Sequence, residues 1–274
     1  MDRIKWTTKR MQSNTQIMQF PANKILCVLY SSGGIGDVGR HAVKAALEAS
    51  PDSRIRVLTA DPKTLLEETD WKCGCGEPHS FSPAELSRLD VRAVDVTKDD
   101  LRPHLDNVEA VISALGNRQI YYGHSVGTRG TQNLVQAMEA CQIRRLVAVT
   151  SVGLSEDWPP MEFHWLGSLV KWMFTFTRCH VDLQGVETAI HSSASSSLDY
   201  LLVRPVGLSE GRRPKGEWFV QKKKGDDKVG PDMGKMDCAR FVVSEVMRPT
   251  FNRQGVVVGS DWESFNLEDS RAAL

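Results

Sequence analysis

The 274-residue sequence predicts an α/β fold in which helices cover both faces of a doubly wound parallel sheet. Apolar runs bounded by turn residues alternate regularly with segments of helical periodicity, which is the order of strands and crossover helices in such a sheet. The first apolar run, Ile25–Tyr30, leads through a glycine-rich turn into an alanine-rich segment. A strand, a glycine turn and a helix in this order are typical of the first unit of a doubly wound sheet.

Each element is predicted from its own pattern. Strands are expected where a short apolar run lies between turn residues, at Ile25–Tyr30, Arg54–Thr59, 91–94, 110–114, 146–150, 200–203 and 256–259. Helices are expected where apolar residues recur every three or four positions, at 41–49, 101–104, 127–140 and 181–192. The segment 69–83 is rich in Cys, Gly, Pro and Ser and is predicted to be a surface excursion between the second and third strands.

These elements form one predicted domain, residues 24–259, which is long enough to bury a large core. Residues 1–23 precede it as an N-terminal extension, and residues 260–274 follow it as a C-terminal tail. The extension is basic in its first ten residues and lacks the apolar centre of a secretory signal. It is therefore either a frayed tail or a transit segment.

Composition and charge exclude several functions. The 34 Lys and Arg residues balance 34 Asp and Glu, so the sequence lacks the basic field expected of a general nucleic-acid binder. No apolar run reaches the roughly 18 residues of a membrane span. The 6 cysteines are scattered through apparent core positions, which favours a reduced, cytoplasmic protein, with organellar targeting by the extension as the alternative. No metal site is predicted, because Cys73, Cys75 and His79 lack a fourth ligand.

The glycine-rich turn after the first strand carries the strongest functional signal. Gly34, Gly36 and Gly39 have the spacing G-x-G-x-x-G, between a predicted strand and a predicted helix. In this arrangement one glycine makes the turn, one lets backbone N–H groups approach a pyrophosphate, and one lets the helix lie close to its strand. The phosphates then sit at the positive end of the helix. The turn predicts a binding site for a nicotinamide dinucleotide.

Six motifs follow one another in a fixed order between about residues 24 and 259. They are Gly33-x-x-Gly36-x-x-Gly39, Val94-Asp95-Val96, Val111-Ile112-Ser113-Ala114-Leu115-Gly116, Gly130-Thr131-Gln132-Asn133-Leu134, Val149-Thr150-Ser151-Val152-Gly153 and Leu198-Asp199-Tyr200-Leu201-Leu202-Val203-Arg204-Pro205. Together they resemble the atypical short-chain dehydrogenase/reductases, a Rossmann-fold family. Within that family the similarity is to NAD(P)H-binding proteins that include NmrA-like proteins and biliverdin-IXβ and flavin reductases.

The resemblance implies a Rossmann sheet with a small C-terminal substrate cap, whose segments lie near residues 155–180 and 207–235. It also implies the residues that contact the cofactor. Those at the pyrophosphate are Gly33, Gly34, Gly36, Asp37 and Val38, and those at the adenine are Asp95 and Val96. Those at the nicotinamide ribose are Ala114, Leu115 and Gly116, and those beside the nicotinamide are Ser151 and Pro205.

The choice between NADP and NAD depends on the end of the second strand. NADP-preferring relatives place an Arg there for the 2′-phosphate, whereas this chain has Ala60 at that position and Asp61 after it. An acid at a strand end favours NAD, but Asp61 lies one place beyond the usual site. Arg40, Thr59 and Lys63 are predicted to receive the phosphate together. The predicted cofactor is NADP, with NAD as the alternative.

The chain departs from conventional family members in lacking their Tyr-x-x-x-Lys pair. The corresponding helix offers His180, which is either a proton donor or a helix N-terminal histidine bonded to the backbone or to Asp182. Ser151, at the end of the fifth strand, is either a catalytic hydroxyl near the nicotinamide or a strand-end hydroxyl bonded to the backbone. Biliverdin-IXβ-type relatives also lack the tyrosine pair, so reductase activity remains compatible with the sequence.

Two further segments bear on the substrate and on the last helix. The stretch 158–174 holds three tryptophans and is either a stripe of core residues, an aromatic lid over a flat substrate or a dimer surface. Asp237 is predicted to be the N-cap of a late helix.

The leading interpretation is an NAD(P)H-dependent reductase of a small planar or carbonyl-containing molecule, such as a flavin, a quinone or a tetrapyrrole. The alternative is a non-catalytic NAD(P)-binding sensor or assembly factor. The expected partner is a small-molecule substrate, with no nucleic acid and no membrane, and the protein is expected to be a monomer or a homodimer.

Overall fold

The computed structural model describes residues 24–31, 36–66, 81–116, 125–154, 177–193, 197–209, 218–222, 229–230 and 232–260. Its strands are β1 (Ile25–Tyr30), β2 (Arg54–Thr59), β3 (Leu89–Ala93), β4 (Val108–Ala114), β5 (Arg145–Val149), β6 (Asp199–Pro205), β7 (Gly207–Ser209), β8 (Phe219–Gln221), β9 (Asp232–Gly234) and β10 (Gln254–Gly259). Its α-helices are α1 (Gly36–Ala49), α2 (Pro62–Leu66), α3 (Pro83–Leu86), α4 (Val126–Ala140), α5 (Arg178–Ser193) and α6 (Lys235–Met247).

The main sheet has eight strands in the order β3-β2-β1-β4-β5-β6-β10-β8. All neighbouring strands run parallel except β8, which pairs antiparallel with β10 at the edge. The strand order reverses between β1 and β4, and ligands of open α/β sheets bind at the carboxyl ends of the strands flanking such a switch point. The predicted doubly wound Rossmann fold is confirmed.

Two hydrophobic cores lie on opposite faces of this sheet. On one face, Val38 and Val43 of α1 and Phe241 of α6 are buried against the strands. On the other face, Leu134 of α4 and Ile190 of α5 are buried against the side chains that the same strands direct to that face. The central strands are covered on both sides, which explains why their sequences are nearly continuous apolar runs.

A smaller pair of strands lies beside the main sheet. β7 and β9 run parallel, with Gly207 opposite Asp232 and Ser209 opposite Gly234. β8 lies between them in the sequence, and it joins the main sheet rather than this pair. The strand that follows β6 and the strand that precedes α6 are thus neighbours. They lie in the region where a C-terminal cap is predicted.

Several predicted boundaries differ from the structure. The helix expected at 41–49 begins earlier, at Gly36, because the motif glycines and Asp37 already form its first turns. The segment expected to be a helix at 101–104 contains a single 3-10 turn, Arg102–His104. Asp237 is not the N-cap of α6, since Gly234 occupies that position and Asp237 lies in the first helical turn. The predicted aromatic segment 158–174 lies outside the described residues.

The four cysteines within the described ranges are free thiols, and burial raises the pKa of both Cys27 and Cys238 to about 12. The described part of the chain contains no group of three or more His, Cys, Asp or Glu residues placed to hold a metal ion. Cys73, Cys75 and His79 lie outside the described residues. No helix within the described ranges is long and apolar enough to cross a membrane.

Candidate functional site

The carboxyl ends of β1 and β4 are joined directly by hydrogen bonds. Ser31 Oγ accepts the Gly116 N–H at 3.0 Å and donates to the Gly116 carbonyl. Ala114, Leu115 and Gly116 are buried next to this link. These contacts hold the two strand ends on either side of the switch point together, and they form the floor on which the resemblance places the nicotinamide ribose.

The helix that follows the glycine turn lies unusually close to its strand. A Cβ added at Gly39 would stand 2.3 Å from Tyr30 Cβ and 3.2 Å from Ala114 Cβ, so only glycine fits there. This is the packing role assigned to the third motif glycine. The close approach brings the N-terminal end of α1, which begins at Gly36, to the edge of the sheet. Gly33 and Gly34 lie outside the described residues, and Val38 is buried in the core.

Asp37, in the first turn of α1, is surrounded by cations. Lys235 Nζ lies 2.7 Å from Asp37 Oδ2, and the exposed fractions of these side chains are only 8% and 11%. Arg40 Nη2 lies 3.6 Å from Asp37 Oδ1. The three side chains carry one negative and two positive charges, so the cluster is net positive beside the predicted pyrophosphate position.

The predicted 2′-phosphate residues converge at the end of β2. Arg40 Nη1 donates to the Thr64 carbonyl at 3.3 Å, which brings its guanidinium from α1 to α2, the short helix after β2. Thr59 is buried, and Lys63 is exposed one residue before Thr64. Asp61 Oδ1 accepts the Lys63 N–H at 3.1 Å and so caps the start of α2. Its carboxylate stabilises the turn through a backbone contact.

Asp95 shapes the loop after β3. Its Oδ1 accepts from the Thr97 N–H at 3.0 Å, and its Oδ2 accepts from Lys98 Nζ at 2.7 Å. The hydrogen bond from Lys98, followed by those from Thr97, lowers the pKa of Asp95 to about 2. Val96 is buried against α4, where a Cβ on Gly130 would stand 2.9 Å from Val96 Cγ2. Because the pKa of Asp95 is about 2, its carboxylate is ionised near neutral pH and can only accept hydrogen bonds.

The predicted catalytic residues lie at the junction of β5 and α5. His180 is buried, and its Nε2 lies 3.2 Å from the carbonyl oxygen of Gly153, two residues beyond Ser151. Because a carbonyl oxygen only accepts, the Nε2 atom carries the proton of this bond. Ser151 is half-buried, and its hydroxyl donates to the Val152 carbonyl at 3.2 Å. Both side chains thus bond to the backbone of one turn.

Asp182 was considered as a hydrogen-bond partner of His180, but its carboxylate bonds to the start of α4. Its carboxylate accepts the N–H groups of Gly127 at 2.9 Å and Thr128 at 2.8 Å. These are first-turn donors of α4 that lack intrahelical partners. Gly185 brings the two helices together, since a Cβ there would lie 2.1 Å from Thr128 Oγ1. Asp182 thereby caps α4 and fixes α5, which carries His180, against it.

A buried ion pair lies below the ends of β5 and β6, where the resemblance places the nicotinamide. Arg204 of β6 donates to both carboxylate oxygens of Glu187 from α5, at 2.9 Å and 2.8 Å, and these side chains are 5% and 6% exposed. Thr150 Oγ1 donates to Glu187 Oε1 at 2.9 Å. Pro205, which follows Arg204, accepts the Val152 N–H at 3.2 Å. The pair therefore links the ends of β5 and β6 to the helix α5.

Sequence reasoning missed three features of this region. Nothing in the local sequence indicates the contact of Lys235 with Asp37, since 198 residues separate the two. The role of Ser31 had a local sequence signal, because Ser31 is the first polar residue after β1. The pair of Glu187 and Arg204 had a clearer signal, because Arg204 is a charged residue within an apolar strand and buried charges require a partner.

Comparison with known proteins agrees with this architecture. The model of the NAD(P)H-binding family matches residues 33–249. No curated protein matches the chain. A short-chain dehydrogenase/reductase from Veillonella parvula, solved in complex with NADP, is 18% identical, with a TM-score of 0.61 over 86% of this chain and 94% of that chain.

Two further solved structures are similar in fold. An oxidoreductase from Lactococcus lactis is 16% identical, with a TM-score of 0.59 over 85% of this chain and 90% of that chain. A Rossmann-fold NAD(P)-binding family protein from Shigella flexneri is 16% identical, with a TM-score of 0.55 over 87% of this chain and 95% of that chain. At these identities the likeness is one of fold.

Proposed function

Because the chain belongs to the NAD(P)H-binding family, we propose that it is a reductase that uses NAD(P)H to reduce a small planar or carbonyl-containing molecule, such as a flavin, a quinone or a tetrapyrrole. One observation carries the proposal. The two residues considered for chemistry, Ser151 and His180, come from different elements but meet at the turn after β5, where Gly153 accepts from the His180 ring. That turn lies at the carboxyl edge of the sheet, where ligands of this fold collect.

The residues at the edge fit a dinucleotide. The N-terminal end of α1 and the net positive cluster of Asp37, Arg40 and Lys235 suit a pyrophosphate. The ionised carboxylate of Asp95 suits the amino group of adenine, which donates. Gly116, held by Ser31, suits the nicotinamide ribose.

NADP is the proposed cofactor, with NAD as the alternative. Arg40 supports NADP, because its guanidinium reaches Thr64 of α2, the short helix after β2, near where the ribose 2′-position is expected. Thr59 and Lys63 flank the same turn. Asp61 supports NAD, since its exposed carboxylate adds negative charge there.

The bound cofactor supplies the hydride in this proposal. The protein positions the nicotinamide and the substrate through the ends of β4, β5 and β6. The half-buried Ser151 hydroxyl is within reach of a substrate and orients it. His180 holds a proton at Nε2, directed at the Gly153 carbonyl, and is the proposed proton donor.

The first experiment measures oxidation of NADPH and NADH with a panel of flavins, quinones and carbonyl compounds. We expect the protein to accelerate at least one of these reactions. In that reaction, His180→Ala should lower turnover by up to about 10²–10⁴-fold, the range for loss of one general acid. Ser151→Ala should also lower turnover, because it disturbs the orientation of the substrate. Both variants should change cofactor affinity little. His191→Ala is the control, because His191 is exposed on the same helix, α5.

A non-catalytic sensor or assembly factor is the second candidate. It is favoured by one hydrogen bond each of Ser151 and His180, which go to backbone carbonyls of the turn after β5. If the protein oxidises cofactor no faster than free solution with every acceptor, while cofactor changes its oligomeric state or its capture of a partner, the reductase proposal is wrong and the sensor replaces it.

A further inference from the structure

The buried pair of Asp37 and Lys235 joins the helix after the glycine turn to the helix after the predicted cap. Asp37 lies in the first turn of α1, and Lys235 is the first residue of α6. Their charged atoms are 2.7 Å apart, and both side chains are about nine-tenths buried. The contact therefore lies where the N-terminal end of α1 faces the edge of the sheet.

Each member of the pair is electrostatically out of place without the other. Lys235 is a cation in the first turn of a helix, where the helix dipole disfavours positive charge, and it is buried, which is rare for an unpaired lysine. Asp37 suits its own helix terminus, but it brings a negative charge to the end of α1 where a pyrophosphate would bind. Residues that break local rules in this way are expected at functional sites.

We propose that Lys235 sets the affinity of the glycine turn for a dinucleotide pyrophosphate by neutralising Asp37. The inference rests on the placement of the pyrophosphate at this turn under the proposed function. Arg40, at 3.6 Å from Asp37, contributes the second positive charge. Lys235 thus acts through Asp37, as a positioning and charge-balancing residue, and brings α6 into the cofactor site.

A second ion pair between the same two helices provides a matched control. Arg240 Nη2 of α6 lies 3.5 Å from Glu48 Oε2 of α1, with exposed fractions of 29% and 42%. Glu48 is close to the other end of α1, away from the glycine turn. If Lys235 merely joined the helices, loss of either pair would have the same kind of effect.

The test measures the affinity of the full-length protein for NADPH, NADH and inorganic pyrophosphate, by fluorescence or calorimetric titration, in four variants. Lys235→Met should weaken binding of all three by about 10-fold, the size of one partly buried charge interaction at a helix terminus. Asp37→Asn should strengthen binding by about 3- to 10-fold, because it removes a negative charge that opposes the phosphates. The double variant should return close to the parent, and Arg240→Met should match the parent.

Thermal unfolding of each variant separates folding from binding. If Lys235→Met does not fold, Asp37→Asn is sufficient to test the inference, because it is expected to bind more tightly than the parent. Equal affinities of the parent and Lys235→Met, weaker binding by Asp37→Asn, or a double variant as weak as Lys235→Met would each overturn it. These experiments measure binding and not turnover. A protein without turnover would therefore contradict the proposed reductase activity but would leave the inference about Lys235 unaffected.

Discussion

The buried pair of Glu187 and Arg204 allows a quantitative prediction about stability. Both side chains are about 5% exposed, so neither water nor salt screens them effectively. Arginine stays protonated, and Glu187→Gln therefore leaves a buried guanidinium without its counter-charge and with one acceptor oxygen instead of two. Breaking a buried pair in this way costs about 3–5 kcal/mol of the free energy of unfolding.

Removing both charges should cost much less. In Glu187→Leu with Arg204→Met, apolar side chains of similar size replace the pair, which is often neutral or stabilising. Thr150 keeps an acceptor, because its Oγ1 also lies 3.4 Å from the Val203 carbonyl. Gly255 leaves room for the new side chain, since the Arg204 guanidinium already lies against it.

Urea unfolding followed by circular dichroism measures these differences. The control is Asp100→Asn, because Arg102 holds Asp100 in the same two-point geometry, yet those side chains are 65% and 49% exposed. We expect no resolvable shift of the unfolding midpoint in this control. A loss below about 1 kcal/mol in Glu187→Gln, or a double variant as unstable as the single one, would refute the reasoning.

Three other predictions concern the cofactor site. Gly36→Asp should abolish dinucleotide binding in a folded protein, because its carboxylate would repel the pyrophosphate; unchanged affinity for NADH and NADPH would exclude the glycine turn as the site. Arg40→Ala should weaken NADPH binding by about 1–2 kcal/mol more than NADH binding, measured by titration against Lys44→Ala one turn later, and equal losses would remove Arg40 from the 2′-phosphate. Lys98→Met should raise the pKa of Asp95 from about 2 towards its ordinary value in an NMR titration, and an unchanged pKa would contradict the assigned cause. Because the folded-state pKa is depressed, the stabilisation from Asp95 is present above pH about 4 and is lost as the pH falls towards 2.

Strands were easier to predict from the sequence than helix ends. β1 and β2 match their predicted bounds, because strands buried on both faces are short apolar runs with clear edges. The start of α1 was placed at residue 41 instead of Gly36, since Gly36, Asp37 and Gly39 all have low helix propensity. Tertiary contacts, including that of Gly39 with Tyr30, hold this turn in the helix.

The sequence carries the parts of the candidate site that depend on local motifs better than the parts that depend on distant side chains. The position of β4 beside β1 follows from the predicted fold and agrees with the strand order. The identities of the partners of Asp37 and Arg204 do not follow from the sequence, because Lys235 and Glu187 lie on helices far along the chain or across the fold. His180 was located on the right helix, but its bond to Gly153 depends on how α5 meets the turn after β5.

The parallel pairing of β7 with β9 fixes both ends of the chain segment that joins them. Since Gly207 lies opposite Asp232 and Ser209 opposite Gly234, this segment leaves from one end of the strand pair and returns at the other. The entropy of closing that loop depends only weakly on its length, and β8 separately protects the edge of β10. The length of this segment can therefore vary at low entropic cost, but Trp218 and Val229 within it belong to the core and β8 belongs to the main sheet, so a substrate site that evolves here has to keep these anchors in place.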